Sequence, residues 1–202
     1  RFDKKTKLFK RFYIDSLNLE SLANMFNYGT VELPDQPGYL WFSTAESGLV
    51  KFDKRTNKFT TYKYDPNEGD GLNHKVSLVR TVWHSPSRPN ELWLGTISGI
   101  NIFDLKTEKF RYYVHDPNDS TSLSNQHILH FYEDKKGFVW IATYGGGLNR
   151  FDPKTEKFLR FTEQNSGLPN NGVYAILPDE SGSLWISSND GISRFDPENF
   201  EF

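Results

Sequence analysis

One pattern is written four times along this chain, and residues 137–161 carry the clearest copy, GFVWIATYGGGLNRFDPKTEKFLRF. Each copy has an apolar run around a tryptophan, a Gly-containing turn, a Phe-Asp pair and a Phe-rich end. The tryptophans follow one another at intervals of 52, 47 and 45 residues: Trp41, Trp93, Trp140 and Trp185. A period of roughly 40–50 residues built from several short strands is typical of a β-propeller blade.

The third copy predicts the internal plan of a blade. Strand-like runs cover residues 128–132, 138–143, 148–151 and 157–161, and polar or Gly-rich turns separate them. Glycines at 145–147 supply positive φ, and the Asp-Pro pair at 152–153 starts a tight turn. Four antiparallel strands joined by three tight turns make one blade.

The same plan predicts an all-β chain that is a single β-propeller segment over residues 1–202. We expect four four-stranded antiparallel blades at residues 21–62, 72–113, 123–161 and 168–202. The Phe-Asp pair occurs five times, with its phenylalanine at Phe2, Phe52, Phe103, Phe151 and Phe195. Because there are only four tryptophan strands, residues 1–12 are interpreted as the outer half of a preceding blade. The chain is therefore expected to be an arc of a larger ring.

The composition excludes several classes of function. There is no cysteine, so disulfides and thiolate chemistry are excluded, and the compartment stays open between cytoplasm and periplasm. The net charge is −2 without a run of Lys or Arg, which argues against a nucleic-acid partner. No stretch approaches the ~20 consecutive apolar residues that a membrane span needs.

The residues repeated in every copy are interpreted as structural. The tryptophans are expected to pack blade against blade, and the Phe-Asp aspartates to cap turn N–H groups. The five histidines lack paired ligand spacing, and the Asp-Pro-Asn linkers lack the glycine and glutamate of a calcium loop, so no metal or cofactor is predicted. No nucleophile elbow, zinc-protease or phosphate-loop motif is present, and no catalytic residue is assigned.

The repeated motif resembles the two-component regulator propeller repeat. Its matching pieces are 41–44 with 48–49, 93–96 with 99–100, 140–143 with 147–148, and 185–188 with 191–192. The resemblance implies a ring of about seven blades in the periplasmic sensor region of a signalling protein anchored in the inner membrane. It also implies a parent with histidine kinase or diguanylate cyclase domains, which would work as a homodimer, and a carbohydrate fragment as the signal.

Three functions remain open from the sequence. The first is a non-enzymatic ligand-sensing propeller of a bacterial signal-transduction receptor. The second is a carbohydrate-active hydrolase or lyase, which would need two carboxylates ~5–10 Å apart. The third is a dimerisation scaffold without a small ligand.

A ligand would meet the face around the central channel, where the loops leading into each first strand lie beside the turns between second and third strands. The side chains that vary between copies there are the predicted ligand-binding residues: Asn73, His74, Gln126, His127, Tyr144, Asn170, Asn171 and Asn189. Amides suit sugar hydroxyls, and an aromatic ring offers a stacking plane.

Overall fold

The computed structural model describes residues 2–9, 27–63, 72 and 78–202. This part of the chain is made of strands and turns, and no helix in it is long and apolar enough to cross a membrane. The strands form four antiparallel sheets, and within each sheet a strand pairs with its neighbour along the chain. The all-β blade architecture expected from the repeats is confirmed.

Each sheet corresponds to one predicted blade. Blade 1 contains β1 (Asn27–Val31), β2 (Tyr39–Thr44), β3 (Leu49–Asp53) and β4 (Phe59–Tyr62). Blade 2 contains β5 (Val79–His84), β6 (Glu91–Thr96), β7 (Gly99–Asp104) and β8 (Phe110–Tyr113). Blade 3 contains β9 (Ile128–Glu133), β10 (Val139–Thr143), β11 (Leu148–Asp152) and β12 (Lys157–Phe161). Blade 4 contains β13 (Val173–Pro178), β14 (Leu184–Ser188) and β15 (Gly191–Phe195).

Blade 4 differs from the prediction of four strands. It pairs three strands, and the place of the fourth is taken by a single bridge between Asp196 and Glu201. The N-terminal hairpin has the same form, since Phe2 and Phe9 make one isolated bridge. In both places the Phe-Asp turn forms, but strand pairing does not extend beyond it within the described residues.

Burial follows the position of a strand within its blade. All five residues of β10 are buried, because this strand lies in the middle of a blade that has a neighbouring blade on either face. The outer strand β8 has no buried residue. This explains why the second strand of each repeat reads as a continuous apolar run rather than as an alternating one.

Aromatic side chains join neighbouring blades. The ring of Trp41 lies 5.5 Å from the ring of Phe103 in the next blade, and Trp93 lies 5.5 Å from Phe151. Trp140 continues the series at 5.4 Å from Phe195. All three tryptophans are buried, so the prediction that they pack blade against blade is confirmed.

The first strands lie nearest the centre of the arc. β1 contacts β5, β5 contacts β9, and β9 contacts β13, although each belongs to a different blade. Side chains of the first strands can therefore come together with the loops at their ends.

Candidate ligand-binding face

The loops that lead into the first strands lie at the same end of the blades as the turns between second and third strands. The backbone N–H of Tyr144 donates to the carbonyl oxygen of His127 at 2.9 Å, which joins both kinds of segment within blade 3. In blade 4, the N–H of Asn189 donates to the carbonyl of Gly172 at 3.1 Å. We call this end the loop face; its described parts are residues 45–48, 97–98, 124–127, 144–147, 170–172 and 189–190.

The loop face is also continuous from one blade to the next. The N–H of Gly99 in blade 2 donates to the carbonyl of Gln126 in blade 3 at 2.7 Å. The equivalent bond one blade later runs from the N–H of Gly147 to the carbonyl of Asn171 at 2.8 Å. These backbone bonds fix the loops of adjacent blades relative to one another without using side chains.

Every first strand has a β-bulge next to the loop face. In β5, Val79 pairs with Thr96 and Thr81 pairs with Gly95, so Arg80 is the extra residue. The same shift occurs at the start of the other first strands, and the four extra residues are Tyr28, Arg80, Leu129 and Tyr174. A bulge turns its extra side chain out of the regular strand alternation. These four equivalent positions carry three residue types: tyrosine in blades 1 and 4, arginine in blade 2 and leucine in blade 3.

Arg80 interacts with two other side chains near the loop face, Tyr28 and His127. Its guanidinium carbon is 5.8 Å from the ring centre of Tyr28. Burial, and next the charge of Arg80, hold the pKa of His127 below its usual value, so the imidazole is neutral at pH 7. Arg80 Nε and His127 Nε2 are both buried and have no hydrogen-bond partner among the described residues. Such atoms are rare in proteins, and a ligand could satisfy them.

A chain of contacts continues from His127 into blade 4. The His127 ring is 5.4 Å from Tyr144, and Tyr144 is 6.1 Å from Tyr174 in an edge-on arrangement. The Tyr174 hydroxyl donates to Asn189 Oδ1 at 2.8 Å, and Asn189 Nδ2 donates to Asn170 Oδ1 at 3.1 Å. Tyr144 remains 50% exposed, so its ring is accessible to a ligand.

At the end of this chain, Asn170 Nδ2 donates to Asp190 Oδ2 at 3.4 Å. We call the connected side chains the loop-face cluster: Tyr28, Arg80, His127, Tyr144, Tyr174, Asn189, Asn170 and Asp190. It has members in all four blades, and Tyr28 and Tyr174 hold equivalent bulge positions in blades 1 and 4.

Of the predicted residues, the structure brings four together in the loop-face cluster: His127, Tyr144, Asn170 and Asn189. Asn171 bonds elsewhere, because its Oδ1 accepts the N–H of Glu163 at 3.0 Å. The side chain of Gln126 is exposed beside the loop. Asn73 and His74 lie outside the described residues.

Three members of the loop-face cluster were not predicted from the sequence: Tyr28, Arg80 and Tyr174. In blades 2 to 4 the first strand opens with a buried β-branched residue: Val79, Ile128 and Val173. The residue directly after it is the bulge residue. A comparison of the residue types at this position between the copies would have identified it as part of the same face.

The other described histidines do not extend the cluster into a metal site. The Nδ1 of His115 lies 2.7 Å from the carbonyl oxygen of Leu123, and the Nε2 of His84 lies 3.1 Å from that of Pro89. Within the described part of the chain, no three His, Asp or Glu side chains are grouped to hold a metal ion.

Two grooves lie away from the loop face. One, of about 420 Å³, runs between the turn at 134–138 in blade 3 and Pro178–Gly182 in blade 4, with Arg150 on its wall. The other, of about 400 Å³, is lined by Tyr39, Lys51 and Glu108. Both contain a cation stacked on an aromatic ring, at 4.3 Å for Arg150 over Phe138. They are equivalent seams between blades, not parts of the loop-face cluster.

The cluster offers binding groups rather than a catalytic pair. Among its described residues, Asp190 is the one carboxylate, whereas hydrolysis of a glycosidic bond needs two carboxyl groups. Tyr rings, amides and an arginine are the groups that orient a polar ligand without reacting with it.

Two segments of the chain match the sequence model of the family described as two component regulator propeller: residues 122–145 and 167–190. Each runs from a leading loop through the first two strands into the following turn. Together they contain every member of the loop-face cluster from blades 3 and 4.

Among curated proteins, the chain is 37% identical over 184 residues to histidine kinase P4 of Formosa agariphila. The alignment takes in 87% of this chain and 13% of that kinase. The chain thus spans about an eighth of the length of this relative.

Solved structures show the same architecture. One is an extracellular domain assigned to a hybrid two component system of B. thetaiotaomicron, which is 25% identical to this chain with a TM-score of 0.78. The match includes 89% of this chain and 24% of that domain. A second extracellular domain from that organism is 19% identical with a TM-score of 0.71. That match includes 98% of this chain and 33% of the domain. Because the chain spans a third or less of either domain, it corresponds to an arc of a larger assembly of blades.

Proposed function

Because the chain carries two-component regulator propeller repeats, we propose that it is a ligand-sensing propeller segment of a bacterial signal-transduction receptor. The loop-face cluster is the observation that carries this proposal. It joins aromatic and amide side chains from several blades, and six of its eight members lie in the two segments that match the family.

The proposed ligand is a carbohydrate fragment. Exposed tyrosine rings stack on sugar rings, and the amides of Asn170 and Asn189 can exchange hydrogen bonds with hydroxyl groups. Asn189 and Asn170 already bond to each other, so their side chains are held in place before a ligand arrives. Such preorganisation reduces the entropy that binding costs.

The proposed setting is extracytoplasmic. The two solved structures described above are extracellular domains, and the curated relative is a histidine kinase. We propose that a parent protein anchors this propeller outside the inner membrane, works as a homodimer and passes the signal to kinase or cyclase domains. The propeller itself is proposed to be non-enzymatic.

Calorimetric titration with a panel of oligosaccharides tests the binding proposal. Binding by the 202-residue chain should weaken at least tenfold when His127→Ala and Tyr144→Ala are combined. The matched control is Tyr112→Ala, because Tyr112 is an exposed aromatic residue on the outer strand β8. Unchanged affinity in the double variant would remove the loop face as the binding surface.

A turnover assay separates the sensor from the enzyme alternative. The chain is incubated with the same polysaccharides, and new reducing ends are measured. Their release by the chain alone would overturn the non-enzymatic assignment.

A further inference from the structure

We propose that the ligand carries an anionic group and that Arg80 binds it, next to the Tyr28 ring. This inference rests on the proposed function and narrows its ligand class to sugars that bear a carboxylate, sulfate or phosphate. The repeat alone does not imply it, because Arg80 occupies a bulge position that holds Tyr28, Leu129 and Tyr174 in the other blades.

The positive charge of Arg80 meets no carboxylate among the residues that the structure describes. Of the ion pairs among the described residues, none includes Arg80. By contrast, Arg111 pairs with Glu91 at 2.7 Å. Arg160 donates to the carbonyl oxygen of Ser122 at 2.8 Å. Arg111 and Arg160 thus meet acceptors, whereas Arg80 lies next to an aromatic ring.

The described residues leave one hydrogen-bond donor of Arg80 without an acceptor. Arg80 Nε is buried without a partner in the described part of the chain. A buried donor without an acceptor destabilises the folded chain, and more so when the group is charged. The guanidinium fork matches the two oxygens of a carboxylate or phosphate, and the bonds it forms to them are charge-assisted. An anionic group on the ligand would satisfy this donor and the charge together.

Charge is distributed unevenly along the loop-face cluster. Arg80 lies in blade 2, and Asp190, the carboxylate of the described cluster, lies in blade 4 beside Asn170. An anion is therefore attracted to the blade 2 end and repelled from the blade 4 end. The neutral His127, whose Nε2 has no hydrogen-bond partner among the described residues, suits a hydroxyl group.

The test uses matched pairs of oligosaccharides, whose members differ only in one substituent. A uronate is compared with the sugar in which its carboxylate is reduced to the alcohol, and a sulfated sugar with its desulfated form. With the 202-residue chain, the charged member of a binding pair should bind at least tenfold more tightly, and its advantage should shrink as salt concentration rises. Arg80→Gln should reduce the advantage to less than about twofold.

Three further variants show whether the preference for the charged sugar depends on Arg80 itself. Arg80→Lys keeps the charge without the fork and should retain part of the advantage. Arg55→Gln removes one positive charge from an exposed turn of blade 1 and should retain all of it. Tyr144→Ala should weaken both members of a pair by the same factor. Thermal unfolding of each variant verifies that it folds.

The outcomes separate this inference from the proposed function. If neutral sugars bind as tightly as charged ones and Tyr144→Ala weakens both, the ligand face stands and the anionic specificity is wrong. If the charged advantage survives Arg80→Gln in a folded variant, Arg80 does not bind the anion. If no sugar binds, or Tyr144→Ala changes nothing, both proposals fail.

Discussion

At the scale of single residues, the Phe-Asp aspartate organises the turn that follows it. Asp104 Oδ1 accepts the N–H groups of Thr107 at 2.7 Å and Lys106 at 2.9 Å, and these bonds hold the pKa of Asp104 below its usual value. The predicted capping role is confirmed. In all five copies, the fourth residue after the aspartate has a left-handed φ of 55–63°: Lys7, Asn57, Glu108, Glu156 and Phe200.

This left-handed position makes a prediction at Glu108. A side chain in that conformation costs about 1–2 kcal/mol relative to glycine. Glu108→Gly and Glu108→Ala both delete the carboxylate that accepts the Tyr62 hydroxyl at 3.0 Å, so their difference isolates the backbone. The glycine variant should be more stable by about 1 kcal/mol in urea unfolding. An alanine variant of equal or higher stability would contradict this reading of the turn.

A second prediction concerns His130 on β9. Burial lowers the pKa of His130, and His130 Nδ1 has no partner among the described residues. Below its ordinary pKa of about 6.5, the unfolded chain takes up a proton that the folded chain resists. Stability should therefore be complete above about pH 7 and should fall as the pH drops, by at most about 1.4 kcal/mol per pH unit for each such proton.

The matched variant for this prediction is His130→Thr, because Thr81 holds the equivalent position in blade 2. Its free energy of unfolding should depend less on pH between 5 and 7, and the remaining slope is expected from His127, whose pKa is also lowered. Identical slopes for the two proteins would exclude His130 as the source.

The loop-face cluster was only partly predictable from the sequence. His127, Tyr144 and Asn189 were found because they lie in loops that differ between copies. Arg80 was missed because it lies inside a strand, and because blade 2 has a longer leading loop. Leu72 precedes Val79 by seven residues, against five for the equivalent pair in each of blades 3 and 4.

At the scale of elements, the strands were predictable and their pairing details were not. β12 has the predicted bounds, and β9 and β10 differ from theirs by one residue at one end, since apolar runs end at Gly- and Asp-rich turns. The bulges depend on the register between two strands, which no single run of residues reveals. The contact of Glu156 with Arg111 at 3.3 Å also joins two blades and could not be read from either repeat.

The turn between second and third strands leads to a prediction at Gly147. Its φ is +73°, and a Cβ atom there would lie 2.1 Å from the carbonyl oxygen of Phe161 on β12. Gly191 is the repeat equivalent in blade 4, with φ +107° and no described atom within 4 Å of a Cβ. Gly147→Ala should cost about 3 kcal/mol or more, because strain and a backbone clash add.

The control is Gly191→Ala, which should cost only the backbone term of about 1–2 kcal/mol. Chemical unfolding of both variants against the unmodified chain measures the difference. Equal losses in the two variants would show that close packing against the fourth strand does not explain the repeated glycine.

At the scale of the whole molecule, each blade is completed by the next. Trp41, Trp93 and Trp140 are buried under the phenylalanine of the following blade, whereas Trp185 in blade 4 is 41% exposed. On the same blade, Ile192 is 73% and Leu177 is 66% exposed. The ring of about seven blades stays a prediction. Comparison with the other blades shows what Trp185 lacks among the described residues, which is an aromatic ring packed over it.

This open face leads to the prediction that the 202-residue chain self-associates. At ~25 cal/mol per Å², leaving a few hundred Å² of apolar surface in water costs several kcal/mol, comparable with the ~5–15 kcal/mol net stability of a domain. Light scattering should give a mass that rises with concentration above the 23.5 kDa of the monomer. Ile192→Lys combined with Leu177→Lys should restore the monomer, because charges on the open face oppose its burial. Leu159→Lys, on the outer strand of blade 3, is the control and should leave association unchanged. A monomer at every concentration for the unmodified chain would mean that its end faces are satisfied within the chain, and the arc interpretation would be wrong.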